Sequence, residues 1–283
     1  MPEGPEIKRT ADALAAALEG RKVKRVYFAF SQLRRFSRKL AGARVLDVRS
    51  RSKAIVTQFD NGLTIFTHNQ LYGRWVILPD GNYPVSSRSL RLAIHTRDTM
   101  ALLYSASDIE VLKTTDLDQH PYLRKLGVEL LADDSSVDDV IARFDDPRFH
   151  RRNLMNLLQD QRFIAGMGNY LCCEVLYVSG IHPDLRLADL TRAQRHRLAK
   201  NCFRLTWQSY KTGGITNQLT RAEKMRRAGV AFEDYRFHVY RREGLPCYRC
   251  GTLIVKGRYG GRVGYISPGC QPKSGGSRER GQN

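Results

Sequence analysis

One discontinuity in hydrophobic spacing constrains this chain more than any other feature. Between about residues 22 and 112, apolar side chains recur in short runs with the period of strands. From Ser136 onward they recur every three to four residues, the period of helices. The two element types are therefore segregated, which predicts an α+β chain of two domains rather than alternating βαβ units. A helix leads the strands: Ile7, Ala11, Leu14, Ala15 and Leu18 share one face, and Gly20 follows as a stop. Strands are predicted at 23–28, 43–48, 54–59, 63–67, 74–78, 90–95 and 100–105, with an Asp60-Asn61-Gly62 hairpin turn, and together they read as a β-sandwich. No phosphate-binding glycine motif is present.

His120-Pro121 opens a linker expected over 121–135, after a catalytic domain at 1–120. Ser136 with Asp139 forms a capping box for the first helix of a domain expected at 136–230. Further helices are predicted at 154–159, 169–178 and 191–210, the last stopped by Gly213-Gly214. Between the second and third lies Gly166-Met167-Gly168-Asn169-Tyr170. It is either a plain interhelical turn or the turn of a helix–turn–helix unit whose following amides face a phosphate. Residues 236–242 look like a strand entering a hairpin element at 236–271, and the Gly/Ser/charge composition of 272–283 predicts a disordered tail.

Forty-seven Lys and Arg against 28 Asp and Glu leave +19. That excess fits a polyanionic partner, and no basic amphipathic helix with an aromatic face points to a membrane instead. No apolar run reaches the length of a membrane span, and no signal-peptide pattern opens the chain, so a cytoplasmic, nucleoid-associated protein is expected.

Six cysteines are present, and a reducing compartment argues against disulfides. Cys172, Cys173 and Cys202 fall in apolar helical stretches and read as core thiols. The other three belong to a pattern, Cys247-x2-Cys250-x16-Ser267-x2-Cys270. With cysteine at the third position it would be a zinc ribbon. Ser267 leaves three options open: a three-thiolate site completed by water, a weakened site, or a metal-free hairpin.

The first six residues, Met1-Pro2-Glu3-Gly4-Pro5-Glu6, carry candidate chemistry. With Met1 removed, Pro2 is a secondary amine able to attack an aldehyde-like carbon and form an iminium, and Glu3 beside it can move protons. The plain alternative is a stiff, uninformative terminus. A helix beginning next to Pro2 argues against it, because that helix would pin the amine.

The Pro2–Glu6 start, Lys53 in a strand context, Gly168-Asn169-Tyr170 and Arg262 in a Cys-bounded hairpin occur together. In this combination the chain, from Pro2 to about Cys270, resembles the formamidopyrimidine-DNA glycosylase and endonuclease VIII family, nearest its bacterial endonuclease VIII branch. The resemblance implies an N-terminal helix and β-sandwich followed by a helix–two-turn–helix domain with a zinc finger. It implies a bifunctional glycosylase and AP lyase of base excision repair, a multifunctional hydrolase and lyase acting on double-stranded DNA with damaged bases or abasic sites.

In that scheme Pro2 attacks C1′ and expels the base, Glu3 protonates the opening sugar, Lys53 assists elimination, and Arg262 serves δ-elimination. Gln70, Leu71 and Tyr72 match the triad that fills the void left by a flipped base, and they favour oxidised pyrimidines. Asn169 is expected to hold a phosphate. Lys125 falls where close relatives carry arginine, so its phosphate contact loses the planar fork. One structural zinc is implied on Cys247, Cys250 and Cys270, weakened or absent because of Ser267. The alternatives are an oxidised-purine glycosylase of the same family and a non-catalytic DNA-damage binder impaired by its finger. A monomer is expected.

Overall fold

A computed structural model describes residues 2–273, so of the tail expected at 272–283 all but Pro272 and Lys273 lies outside the described residues. The chain divides into two compact units, Met1–Leu126 and Gly127–Asn283. No helix among the described residues is long and apolar enough to cross a membrane.

The first unit opens with α1 (Gly4–Leu18), whose Ile7, Ala11, Leu14 and Leu18 are buried. Strand β1 (Arg25–Phe28) and a short helix α2 (Arg35–Leu40) follow. Then come β2 (Val45–Arg51), β3 (Ala54–Phe59), β4 (Leu63–His68), β5 (Arg74–Pro79), β6 (Leu90–His95), β7 (Thr99–Tyr104) and β8 (Asp108–Lys113). Two four-stranded sheets form, in the orders β1-β6-β7-β5 and β2-β3-β4-β8, and every pairing within them is antiparallel. This is the expected β-sandwich with one strand more, β8, and with α2 inside the region expected to hold strands.

The core between the sheets takes Phe28, Val45, Phe59, Ile65, Leu92, Ile94 and Leu103, with α1 packed into it. Strand β3 is buried on both faces because Ala54 and Val56 turn outward onto Leu117 and Leu123. These two come from 3-10 turns at Thr114–Gln119 and Leu123–Lys125. So part of the stretch read as linker packs on the sandwich.

The second unit begins with β9 (Val128–Glu129) and α3 (Val137–Asp145), which starts at the Ser136/Asp139 capping box. The helix expected at 154–159 is a single turn, α4 (Leu154–Leu157). Strand β10 (Ile164–Ala165) pairs in parallel with β9. Helix α5 (Asn169–Ser179) is apolar nearly all round, as a central helix must be, and buries Tyr170 through Tyr177. Helix α6 (Arg192–Thr212) packs beside it, capped by Thr191 and ended by Gly213.

Two helices were not foreseen. In α7 (Leu219–Arg227) only Ala222 is buried, so no apolar stripe announces it, and α8 (Phe232–Tyr235) is one turn. An antiparallel hairpin closes the unit, β11 (Val255–Tyr259) and β12 (Arg262–Ile266).

The strand expected at 236–242 is absent. Phe237, His238 and Val239 are buried in succession, without a strand's alternation, and their segment pairs with no neighbouring strand. The N–H groups of His238, Val239 and Tyr240 donate instead to the Glu174 carboxylate of α5, at 2.7, 2.8 and 2.9 Å.

Candidate active site

The start of α1 fixes the terminal residues. Glu3 is its N-cap, 3% exposed, and forms a capping box with Glu6, whose Oε2 accepts the Glu3 N–H at 3.0 Å. Pro5 suits the first helical turn because its missing N–H has no acceptor there anyway. Pro2 precedes this anchored cap and is partly exposed. Helix α1 packs on β2 and β3, the two strands that flank Lys53.

Lys53 sits not in a strand but in the two-residue turn, Ser52-Lys53, that joins them. Ser52 has φ +60°, a left-handed conformation that a serine holds only with support. Tyr122 supplies it: its hydroxyl accepts the Lys53 N–H at 3.3 Å and donates to Ser52 Oγ at 3.2 Å. Tyr122 packs edge-on against His68 and Phe66. Burial holds the His68 imidazole below its ordinary pKa, with Asp108 opposing and the Lys53 ammonium adding to the shift. His68 Nδ1 in turn accepts the Gln70 N–H at 3.2 Å. The Lys53 turn and the Gln70 loop are thus joined through Tyr122 and His68. Neither residue was singled out from the sequence. For His68, a histidine at a strand end two residues before Gln70 was the available signal.

Gln70, Leu71 and Tyr72 form the apex of loop 69–73 between β4 and β5. Leu71 is 54% and Tyr72 70% exposed, so neither is a core residue. Gly73 closes the loop, and a Cβ there would lie 2.5 Å from the Asn69 carbonyl oxygen. Lys125 is exposed at the end of the 3-10 turn Leu123–Lys125.

In the second unit Asn169 is the first residue of α5, following Gly168 as N-cap. Gln161, also not foreseen, shapes the turn before it. Its Oε1 accepts the Gly166 N–H and its Nε2 donates to the Met167 carbonyl, both at 2.9 Å. The three-residue turn, 166–168, therefore delivers Asn169 to the start of an 11-residue helix.

Arg262 opens β12 and is exposed. Its Nε donates to Asn156 Oδ1 at 3.0 Å, and Asn156 Nδ2 donates to the Gly260 carbonyl at 2.7 Å. One side chain of α4 thus grips both the hairpin tip and its arginine. A Cβ on Gly260 would come within 2.5 Å of Asn156 Nδ2, and Gly260 holds φ +54°, so glycine suits that approach.

Cys247, Cys250 and Cys270 converge, their Sγ atoms all within 4.8 Å of one another, and all three are free thiols. The Cys247 and Cys270 sulfurs are 3.8 Å apart, the separation that two thiolates at about 2.3 Å from one tetrahedral metal would show. Ser267 is fully buried and puts its Oγ 3.3 Å from Cys250 Sγ, at the fourth corner. Hydrogen bonds from Ser267 and Thr252 bring the Cys250 thiol down to about 6, whereas burial pushes Cys270 up to about 11. The donor set fits a metal ion in position and is one charged ligand short in chemistry.

Comparison with known proteins bears on what these parts do. Residues 1–107 match the family model described as the formamidopyrimidine-DNA glycosylase N-terminal domain, and residues 126–220 match that described as the formamidopyrimidine-DNA glycosylase H2TH domain. Endonuclease 8 of Escherichia coli O17:K52:H18 is 42% identical over 271 residues, 96% of this chain and 100% of that protein. Endonuclease 8 of Shigella sonnei is 41% identical over the same shares. The fold is also that of Lactococcus lactis Fpg (MutM), solved in a complex with oxidised-pyrimidine-containing DNA. The TM-score is 0.79 at 20% identity, over 96% of this chain and 100% of that one.

Proposed function

The chain belongs to the formamidopyrimidine-DNA glycosylase family, and on that premise we propose that it is a bifunctional DNA glycosylase and AP lyase that removes oxidised pyrimidines from duplex DNA. The observation that carries the reading is the anchored terminus: a capped, buried helix start holds Glu3 and places Pro2 directly before it. Once Met1 has been removed, the Pro2 nitrogen is a nucleophile whose attack at C1′ of a flipped nucleotide expels the base. The iminium acidifies the C2′ proton, so the 3′ phosphate leaves by β-elimination and δ-elimination follows. Glu3, partly desolvated, is the proton carrier beside the opening sugar.

Lys53, on its braced turn, assists elimination and binds the lesion phosphate. Asn169 with the α5 amides, and Lys125 as a point charge, hold flanking phosphates. Arg262 serves the δ step, and a zinc ion on Cys247, Cys250 and Cys270, when bound, would stiffen the finger that carries it. The exposed Gln70-Leu71-Tyr72 apex supports a void-filling wedge, and with it the preference for pyrimidines.

The test is borohydride trapping on duplexes that contain thymine glycol, dihydrouracil, 8-oxoguanine or an abasic site. A covalent adduct is expected on the oxidised pyrimidines and the abasic site, with 8-oxoguanine poorest. An N-terminal extension that turns the Pro2 amine into an amide should abolish it. No adduct on any duplex would mean a DNA-damage binder instead, and 8-oxoguanine ranking first would mean a purine enzyme.

A further inference from the structure

The wedge loop presents a physical difficulty. Leu71 and Tyr72 stand largely in water, so burial cannot fix the shape of 69–73. Gln70 also holds φ +52°, which costs energy for a residue with a side chain. The base of the loop is pinned by polar contacts. Gly73 N–H donates to the Asn69 carbonyl at 2.7 Å, Gln70 N–H to His68 Nδ1 at 3.2 Å, and Ser107 Oγ to Gln70 Oε1 at 2.8 Å. At the apex a contact comes from outside the loop: Arg88 Nη1 donates to the Tyr72 carbonyl at 2.9 Å.

Arg88 belongs to the segment 80–89 between β5 and β6, which is exposed from Gly81 on. That segment is tied down by a clasp at its other end. His95 is fully buried, its Nδ1 lies 2.6 Å from Asp80 Oδ1, and its Nε2 lies 2.9 Å from the Tyr83 hydroxyl. Lys24 Nζ reaches Asp80 Oδ2 at 3.3 Å. With Nδ1 donating to the carboxylate, Nε2 of a neutral ring accepts the tyrosine hydroxyl. Arg88 N–H is in turn fixed on Ser86 Oγ at 3.1 Å.

We propose that Arg88 is a positioning residue for the Leu71-Tyr72 wedge, carrying the rigidity of the Asp80–His95–Tyr83 clasp to the loop apex. A charged donor on a carbonyl is among the stronger single contacts, and it orders the apex before DNA arrives. The wedge then enters the stack without first paying to order itself. This role rests on the glycosylase reading above.

The experiment places 2-aminopurine opposite a dihydrouracil in a duplex and follows its fluorescence on mixing with the full-length protein, with borohydride trapping of the same reaction at long times. Arg88→Met, which is exposed and keeps the side-chain length, is expected to slow the fluorescence rise roughly five- to tenfold. The final trapped yield should equal that of the wild type, because the Pro2 chemistry is untouched. Arg88→Lys should recover most of the rise, and Tyr83→Phe should slow it by a smaller factor. A rise unchanged in Arg88→Met overturns the proposal. So does a fall of about one in the magnitude of the log–log salt slope of binding, which would place Arg88 on a DNA phosphate. A wild-type protein that is never trapped on this duplex or on an abasic one overturns the glycosylase reading itself, and no variant is needed to see it.

Discussion

Glu174 shows how much one side chain can organise. It is fully buried on α5, yet all of its acceptor capacity is used: three backbone N–H groups of 238–240 and the Thr216 hydroxyl at 2.7 Å. A buried carboxylate is tolerated when donors surround it in this way. Glu174→Gln turns one oxygen into an NH2 group facing donors, so the loss exceeds one hydrogen bond. A destabilisation of about 2–4 kcal/mol is expected in urea unfolding of the second unit. An unchanged midpoint would show that the segment finds other acceptors.

His238, in the same cluster, is a separate case. Burial lowers its pKa from 6.5 to about 4, so the folded protein holds it neutral while the unfolded chain protonates it. Its contribution is complete above pH 6.5 and is lost as the pH falls toward 4, by about 2–3 kcal/mol. His238→Asn should remove that part of the acid sensitivity, seen as a smaller difference in unfolding free energy between pH 7 and pH 4.5. Neither residue was legible in the sequence as an organiser. Glu174 reads as one acid in an apolar helix, and its partners lie 42 to 66 residues away.

At the level of elements, what could be read and what could not divide along physical lines. Helices α1, α3, α5 and α6 were legible because caps and apolar spacing agree locally, and the hairpin of β3 and β4 because Asn61-Gly62 demands a tight turn. Helix α7 was hidden because only Ala222 is buried, and the strand expected at 236–242 was wrong because Glu174 took its amides. Candidate site residues on sharp local motifs were visible, whereas Tyr122 and Asn156 act across gaps of 69 to 106 residues that no local pattern marks.

The finger raises the sharpest question at this scale. Three sulfurs converge around a buried Ser267 hydroxyl, and a neutral oxygen leaves the site short of a thiolate's charge and softness. Zinc measured by atomic absorption after dialysis against a chelator should be well below one per chain. Ser267→Cys should bring it close to one. Full, chelator-resistant occupancy in the unaltered protein would show that three thiolates and an oxygen suffice. Asn156 offers a reason why the hairpin can still present Arg262 when the metal is weak, since it grips the Gly260 carbonyl and the guanidinium without any metal.

The whole molecule carries +19, and that surplus acts differently from the site. Each phosphate neutralised by Lys or Arg releases condensed counterions, so affinity for any duplex, damaged or not, should fall steeply with salt. With about six phosphate contacts, the log–log slope is about −5, and affinity drops about a thousandfold between 50 and 200 mM salt. The lesion-specific part has another origin. In the proposed mechanism, void filling by Leu71 and Tyr72 and reaction at Pro2 would involve few additional ions, since an undamaged duplex offers the same backbone phosphates. Fluorescence anisotropy with matched damaged and undamaged duplexes separates the two contributions. Both affinities should fall in parallel while their ratio changes little. A slope near −1 would remove duplex DNA as the explanation for the charge. A ratio that collapses with salt would mean that lesion recognition itself is electrostatic, carried by Lys53, Lys125 and Arg262 rather than by the exposed wedge.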